Sequence, residues 1–368
     1  MTLVTKTIKG QEYYYYQDSI KVEDKNKIIT TCVCRADISG QKLIDEKQEA
    51  IVKHFVKMLK TGTVIGKQQY KFDTLQSDDP IMLNDTLDYI RFLYNGYRKM
   101  LNEQELEDFS KILFVKYVHG TTAIEGNTLT EDEAYRLLAS DLTPQNKSVN
   151  ETYEVANYTN VQEYISKCSG NVTERMVLQI HKLLMSGIRG TNRKLINAGE
   201  YRTGQAILMG IEYRPPPAEM VSSQLKLLLA EYESKIKDGI HPLEAASYFH
   251  QKFEEVHPFQ DGNGRVGREI LNYMLTQEGF PPIYVTPKQR SEYLSALQDG
   301  NTGNHIPLFV FWLSRMAATI HYLLVKTNLF SILVSNEAKE FAKELGADEV
   351  YDNFLTVSKK ARDDPEPP

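Results

Sequence analysis

The sequence predicts a mainly α-helical protein with a short β-rich segment at its N-terminus. Three observations carry this expectation. From about residue 43 onward, apolar residues recur at helical spacing. Helix-starting patterns punctuate that stretch, TEDE at 130–133 and TPKQ at 286–289. Only residues 5–37 and 198–217 depart from the helical texture.

Taken in chain order, EYYYYQDSIKV and KIITTCVCRADI are rich in β-branched and aromatic residues and are separated by the polar EDKNK, so both read as strands. The four consecutive tyrosines fit a two-sided strand or sheet edge better than a binding surface. Thr130 is expected as an N-cap with Glu133 at the third helical position, ahead of apolar Ala134, Leu137 and Leu138. Thr286 repeats the device with Pro287 at the first helical position. A helix follows Thr173, with Val177, Ile180, Leu183, Leu184 and Ile188 along one stripe and Gly187 and Gly190 weakening its end. Leu243, Ala246, Phe249, Phe253 and Val256 form a stripe that runs directly into His257, and Val266, Ile270, Leu271, Met274 and Leu275 form another just beyond it. The segment between them therefore joins two buried helices. AGEYRTGQAILMGIEYRPPP (198–217) has a strand-like centre and reads as a β-hairpin. The stretch 306–325 is the most apolar, but it carries Arg315 and His321 and reads as a buried helix rather than a membrane span. NEAKEFAKELGADEVYDNF (336–354) reads as a C-terminal helix and ARDDPEPP as a frayed tail. The predicted organisation is a β-rich segment over 1–42, a helical region over 43–170, a core over 171–325, and a helix with tail over 326–368.

Composition narrows the function classes. The chain has 368 residues, 41% hydrophobic and 25% charged, enough for a sizeable core. Its formal net charge of −6 argues against a dedicated nucleic-acid binder, whose footprint is basic. Cys32, Cys34 and Cys168 form no metal or disulfide spacing and suit a reducing compartment. MTLVTKTIKGQEYYYY lacks the apolar core of a signal peptide, so a cytoplasmic protein without a membrane association is expected. The triplets at Asn146, Asn150 and Asn171 then carry no glycosylation meaning.

Chemistry concentrates in residues 257–268, HPFQDGNGRVGR. Gly262, Asn263 and Gly264 stand just before a helix N-terminus, where free amides and the helix dipole favour an anion. Arg265 and Arg268 are three apart on the first turn and suit two-point contact with phosphate oxygens. The pattern GxxxxGK[ST] of a P-loop is absent. Asp261 suits Mg²⁺, which prefers a carboxylate together with phosphate oxygens. His257 is a proton acceptor near cellular pH. A base beside a magnesium-bound polyphosphate implies activation of a hydroxyl for attack on phosphorus. The competing reading makes His257 a structural histidine beside proline and the arginines surface partners of acids such as Glu269.

HPFQDGNGRVGR resembles the Fic (Fido-domain) signature, HPFx[D/E]GNGRxxR, at every fixed position. The resemblance covers roughly residues 105–315. It implies a helical Fic/Fido domain with a β-hairpin flap over the site, and transfer of AMP from ATP to a Ser, Thr or Tyr hydroxyl of a target protein. By position, His257 resembles the general base, Asp261 the Mg²⁺ ligand, Gly262, Asn263 and Gly264 the anion nest, and Arg265 and Arg268 the phosphate grips. The intact Gly264 and Arg265 favour nucleotidyl over phosphoryl transfer. The flap would lie over the nucleotide at Leu208, Met209, Gly210 and Ile211 and present the target as an added strand. Tyr293, Leu294 and Asn301 stand where the family contacts adenosine, although QDGNTGN departs from the usual alanine–asparagine–acidic pattern.

TTAIEGNTLT (121–130) resembles the [S/T]xxxE[G/N] inhibitory motif of the same family through Thr121, Glu125 and Gly126. This implies an inhibitory helix near 109–126, with Glu125 pairing two-point with Arg268 in place of the ATP γ-phosphate. The plainer reading makes Glu125 a helix C-terminal acid ahead of a glycine stop. The resemblance also leaves open removal of AMP from modified proteins, transfer of another nucleotide, or a catalytically silent interaction module. A homodimer is a further implication.

Overall fold

The computed structural model describes residues 2–22, 25–60, 70–73, 103–140, 142–190, 193–207, 213–326 and 336–344, together with the helical positions 87, 90, 91, 94, 95 and 98. The chain divides into two compact units, one of Met1–Lys71, Gln76–Leu106 and Met316–Pro368, the other of Phe72–Leu75 and Glu107–Arg315.

In the first unit, β1 (Thr2–Ile8), β2 (Gln11–Val22) and β3 (Lys25–Arg35) form an antiparallel sheet in that order, followed by α1 (Gly40–Lys60). Two strands are expected within residues 5–37; the structure adds a third, Thr2–Ile8. Its turn is Lys9–Gly10, both with positive φ (50° and 81°), which matches the twist of a two-residue hairpin loop. The tyrosines do alternate. Tyr14 and Tyr16 pack with Val33, Ala50 and Ile51, while Tyr15 lies under the Lys6 ammonium on the other face. Tyr15 pairs with Cys32 and Tyr14 with Cys34, leaving Val33 as the extra residue of a bulge. That bulge lets the consecutive Val33 and Cys34 both enter the core. α11 (Asn336–Glu344) begins where the C-terminal helix was expected; its predicted continuation over 345–354 lies outside the described residues.

The second unit is helical: α2 (Glu103–Ala123) from Glu107 on, α3 (Glu131–Ser140), α4 (Val149–Ile165), α5 (Glu174–Leu184), α6 (Val221–Lys237), α7 (Pro242–Val256), α8 (Asn263–Gln277), α9 (Arg290–Asn301) and α10 (Ile306–Lys326) as far as Arg315. α7 and α8 pack against each other and bury every residue of the two predicted stripes. Each such side chain larger than alanine contributes roughly 1.5–3 kcal/mol on leaving water. The expected starts are built as caps. Thr130 exchanges hydrogen bonds with Glu133, Thr173 accepts from the Met176 amide, and Thr286 forms its box with Gln289. After Thr286 the chain makes a 3₁₀ turn, Pro287–Gln289, before α9 begins. α2 passes so close to the neighbouring backbone that a Cβ on Gly120 would stand 1.9 Å from the Val285 carbonyl oxygen.

Two expectations change. The helix expected near 109–126 runs from Glu103 to Ala123, and the turn after it closes with a Gly126 amide bond to Ala123 and an Asn127 amide bond to Thr122. This is a Schellman closure with Gly126 at φ 105°, a conformation that a residue with Cβ rarely adopts. The hairpin expected over 198–217 has its centre, Leu208, Met209, Gly210 and Ile211, outside the described residues. Its described arms carry no strand ladder; the Gln205 carboxamide bridges them by donating to the Pro215 carbonyl at 2.8 Å. In α10 the window Ile306–Leu323 is long and apolar enough to cross a membrane by composition, yet 61% of it is buried within the structure.

Candidate active site

The loop between α7 and α8 starts with strain. His257 ends α7 in the left-handed region, φ 48° and ψ 60°, where a side chain with Cβ is disfavoured by roughly 1–3 kcal/mol. The surroundings hold it there. The His257 carbonyl accepts from Arg202 Nε at 2.8 Å. Two residues on, Phe259 is gripped at both ends by the Asn263 carboxamide, which accepts from its amide and donates to its carbonyl, each at 2.9 Å. Asn263 thus serves the loop's own framework, and its side-chain donors face Phe259 rather than the space before the helix. Gly262, at φ 81°, turns the chain into α8.

Below the loop lies His181, from α5. Its Nδ1 accepts from the Gly199 amide at 2.9 Å, so Nε2 carries the proton and donates to the Asp261 carbonyl at 3.1 Å. Its ring stacks on Phe259 with centroids 3.7 Å apart. Burial pushes its pKa down to about 4, so the imidazole stays neutral. His257 is likewise held below its ordinary 6.5, by burial first and then by the Arg202 cation, against the raising effect of a hydrogen bond with the Glu254 backbone.

The two arginines of the loop are each 3% exposed and face different partners. Arg265 reaches Glu154 of α4 at 3.2 Å and Asp261 at 3.3 Å. Burial opposes its charge, and the two carboxylates outweigh that opposition. Arg268 donates through Nε to Thr121 Oγ1 at 2.7 Å and through Nη2 to the Thr121 carbonyl at 3.0 Å. The same Nη2 meets Glu125 Oε1 at 2.6 Å, while Nη1 reaches the Tyr293 hydroxyl at 3.3 Å. Glu125 therefore pairs with Arg268 at one point, not two, because Thr121 and Tyr293 take the other donors. Both readings of Glu125 hold at once: it sits in the closing turn of α2, and its carboxylate touches Arg268.

That carboxylate lies directly over the loop. A Cβ on Gly264 would stand 2.3 Å from Glu125 Oε1. The Glu125 side chain keeps 41% of its surface exposed, and its pKa lies below the usual carboxylate value because Arg268 outweighs the burial that would raise it. The alternative that made these arginines surface partners of Glu269 does not describe the geometry: Glu269 accepts from the Tyr117 hydroxyl at 2.6 Å. Asp261 keeps 51% of its side chain exposed at the start of α8, with one oxygen on the Gly262 amide and Arg265. Among the described residues no cluster of three metal-ligating side chains occurs. One exposed carboxylate is nonetheless the usual share of the protein when substrate phosphates complete a Mg²⁺ shell.

The remaining expected contacts are spread out. Tyr293 is buried behind Arg268, with its hydroxyl 2.7 Å from His250 Nε2. Leu294 is exposed, and Asn301 Oδ1 accepts from Gln251 at 3.0 Å. Sequence reasoning missed Arg202, His181, Glu154 and the Gln251–Asn301 pair.

A helical body that presents a His–Asp–Gly–Asn–Gly–Arg loop between two buried helices is the Fic fold: the structure superposes on Caenorhabditis elegans Fic-1 with a TM-score of 0.58 and 22% identity, covering 80% of this chain and 90% of that one. A Fic domain-containing signaling protein from Bacteroides thetaiotaomicron gives 0.57 at 21% identity, over 66% and 96% of the two chains. Residues 171–275 match the Fic/DOC family. It is 29% identical over 254 residues to protein adenylyltransferase fic-1 of C. elegans, spanning 67% of this chain and 49% of the relative. Protein adenylyltransferase Fic of Nematostella vectensis is 27% identical over 226 residues, spanning 60% and 51%. The chain thus spans about half the length of the curated relatives it matches.

Proposed function

We propose that this protein is an adenylyltransferase that moves AMP from ATP to a Ser, Thr or Tyr hydroxyl of a target protein, and that Glu125 holds it inactive. The observation that carries the reading is an anion already resting in an anion cradle, the Glu125 carboxylate 2.6 Å from Arg268 over the bare Cα of Gly264. A triphosphate would use the same features: free amides at the start of α8, two buried guanidinium groups and no side chain at Gly264 to block approach. Asp261 would hold Mg²⁺, which when bound neutralises phosphate charge and orients the leaving pyrophosphate.

The reaction follows from the groups present. His257, kept neutral below its ordinary pKa, accepts the proton of the target hydroxyl. The hydroxyl oxygen bonds to the α-phosphorus, the bond from that phosphorus to the bridging oxygen breaks, and pyrophosphate leaves. Arg268 can take the outer phosphate only when Glu125 withdraws, so one guanidinium serves both the resting and the active state. Tyr293, Leu294 and Asn301 on α9 would border the nucleoside, with the flap at Leu208–Ile211 guiding the target backbone. A homodimer and a cytoplasmic site of action belong to the same reading, and sedimentation of the purified protein checks the former.

The test uses α-labelled ATP. Glu125→Gly is expected to label itself or added proteins far more strongly than wild type, and His257→Ala in that background to lose the label. Equal labelling by wild type and Glu125→Gly would remove the brake; labelling that survives His257→Ala would remove the base.

A further inference from the structure

We infer that Arg202 is the positioning residue of this site: its guanidinium holds His257 in its left-handed backbone conformation and joins that hold to both arms of the flap segment. Arg202 is 7% exposed, and among the described residues no carboxylate lies at hydrogen-bond distance from it. Its donors go instead to four carbonyl oxygens: His257 through Nε at 2.8 Å, Gly204 through Nη1 at 2.9 Å, and Pro216 and Val256 through Nη2 at 2.5 and 3.3 Å. Its own amide donates to the Pro258 carbonyl at 3.0 Å. Three successive carbonyls, Val256, His257 and Pro258, are thus fixed by one residue.

Capping explains part of this. The last carbonyls of α7 have no helical donor, and a cation there complements the helix dipole. A cap would need only Val256 and His257. The bonds to Gly204 and Pro216 fall on the two sides of the segment that carries Leu208–Ile211, and the planar fork lets one group reach all of these acceptors. Since His257 departs from helical geometry by its own φ and ψ, the bond at its carbonyl oxygen is the contact best placed to set where the imidazole points. Displacement of the flap arms would then be felt at the base through a single side chain.

The proposal rests on the adenylyl-transfer reading for its consequence, but its structural half can be read without activity. Histidine labelled with ¹³C at Cα would be introduced into Glu125→Gly, Glu125→Gly/Arg202→Ala and Glu125→Gly/Arg202→Lys, with the His257 signal assigned by its loss in His257→Gln. In Arg202→Ala that signal is expected to leave its left-handed position. Labelling at saturating ATP should fall at least about tenfold, because small misplacements of a reacting group weigh heavily on rate. The half-saturating ATP concentration should change less than about threefold, since nucleotide contacts lie elsewhere. Lysine, which keeps the charge but cannot fork, should fall between. If Arg202→Ala does not fold, the lysine variant carries the same readings. An unmoved His257 signal, or a moved signal with an unchanged rate, overturns the proposal. Should Glu125→Gly itself fail to label, the adenylyl-transfer reading falls, and the Cα signal alone decides the role of Arg202.

Discussion

Two buried histidines, one in each unit, have different surroundings and invite different readings. In the β-rich unit, His54 of α1 is fully enclosed, with Nδ1 3.0 Å from Thr31 Oγ1 and Nε2 3.2 Å from Asp18 Oδ2. An aspartate, a histidine and a hydroxyl in a row have the composition of a nucleophile relay. Yet Thr31 is buried as well, so no substrate can reach its oxygen. The three side chains instead tie β2, β3 and α1 together. In the helical unit, His257 stands on a strained backbone, in a loop whose two buried arginines are met by the carboxylates of Glu154, Asp261 and Glu125. The difference teaches that residue type does not separate structural from chemical histidines. Saturation of both ring nitrogens fits the structural role of His54, while left-handed strain beside an anion cradle is what supports the role proposed for His257.

The largest test exchanges the two. His257→Ala in the Glu125→Gly background is expected to lower labelling by about 10²–10⁴-fold, the range a general base contributes, with little change in melting temperature. His54→Ala should do the reverse. It leaves the Asp18 carboxylate and the Thr31 hydroxyl without their ring partner and should destabilise the protein by roughly 2–4 kcal/mol, with labelling per folded molecule unchanged. Thermal unfolding and labelling on the same samples would read both, and crossed results would break the contrast.

A smaller effect probes the cradle. Gly264→Ala puts a methyl group where Glu125 Oε1 now lies, 2.3 Å away. The methyl should weaken the Glu125–Arg268 pair, but it also intrudes on the space for phosphate. Labelling should therefore stay at least about tenfold below that of Glu125→Gly, even when the two substitutions are combined. A Gly264→Ala variant as active as Glu125→Gly would mean that the space above Gly264 serves only the brake.

How much of this was legible follows from chain distance. HPFQDGNGRVGR could be read because its chemical groups are contiguous and the apolar stripes on both sides fix its ends. Thr130, Thr173 and Thr286 could be read because a cap acts on residues three positions away. β1 escaped because its turn is Lys9–Gly10, with a lysine rather than asparagine in the left-handed region. Arg202 and His181 escaped because their partners are 55 and 80 residues distant and are backbone carbonyls, which no side-chain pattern advertises. The two-point pairing expected of Glu125 failed for a related reason: the Thr121 carbonyl competes for Arg268, and only the folded turn brings it there.

The smallest effect concerns protonation of His257, the proposed base. Glu125 and Asp261 are carboxylates near His257 that favour imidazolium, while burial and Arg202 disfavour it more, so the folded pKa lies below 6.5. Removing Glu125 takes away a raising influence, and the His257 titration should move further to acid in Glu125→Gly. An NMR titration of the ring reads this without any activity. The sign for catalysis follows: the base works when neutral, so the acid limb of labelling in Glu125→Gly should lie below pH 6.5. The sign for stability is the same. A histidine whose folded pKa is lowered binds its proton more readily when unfolded, so its contribution is intact above about pH 6.5 and declines as pH falls toward the folded value. His181, with its pKa near 4, adds to that decline over the same window.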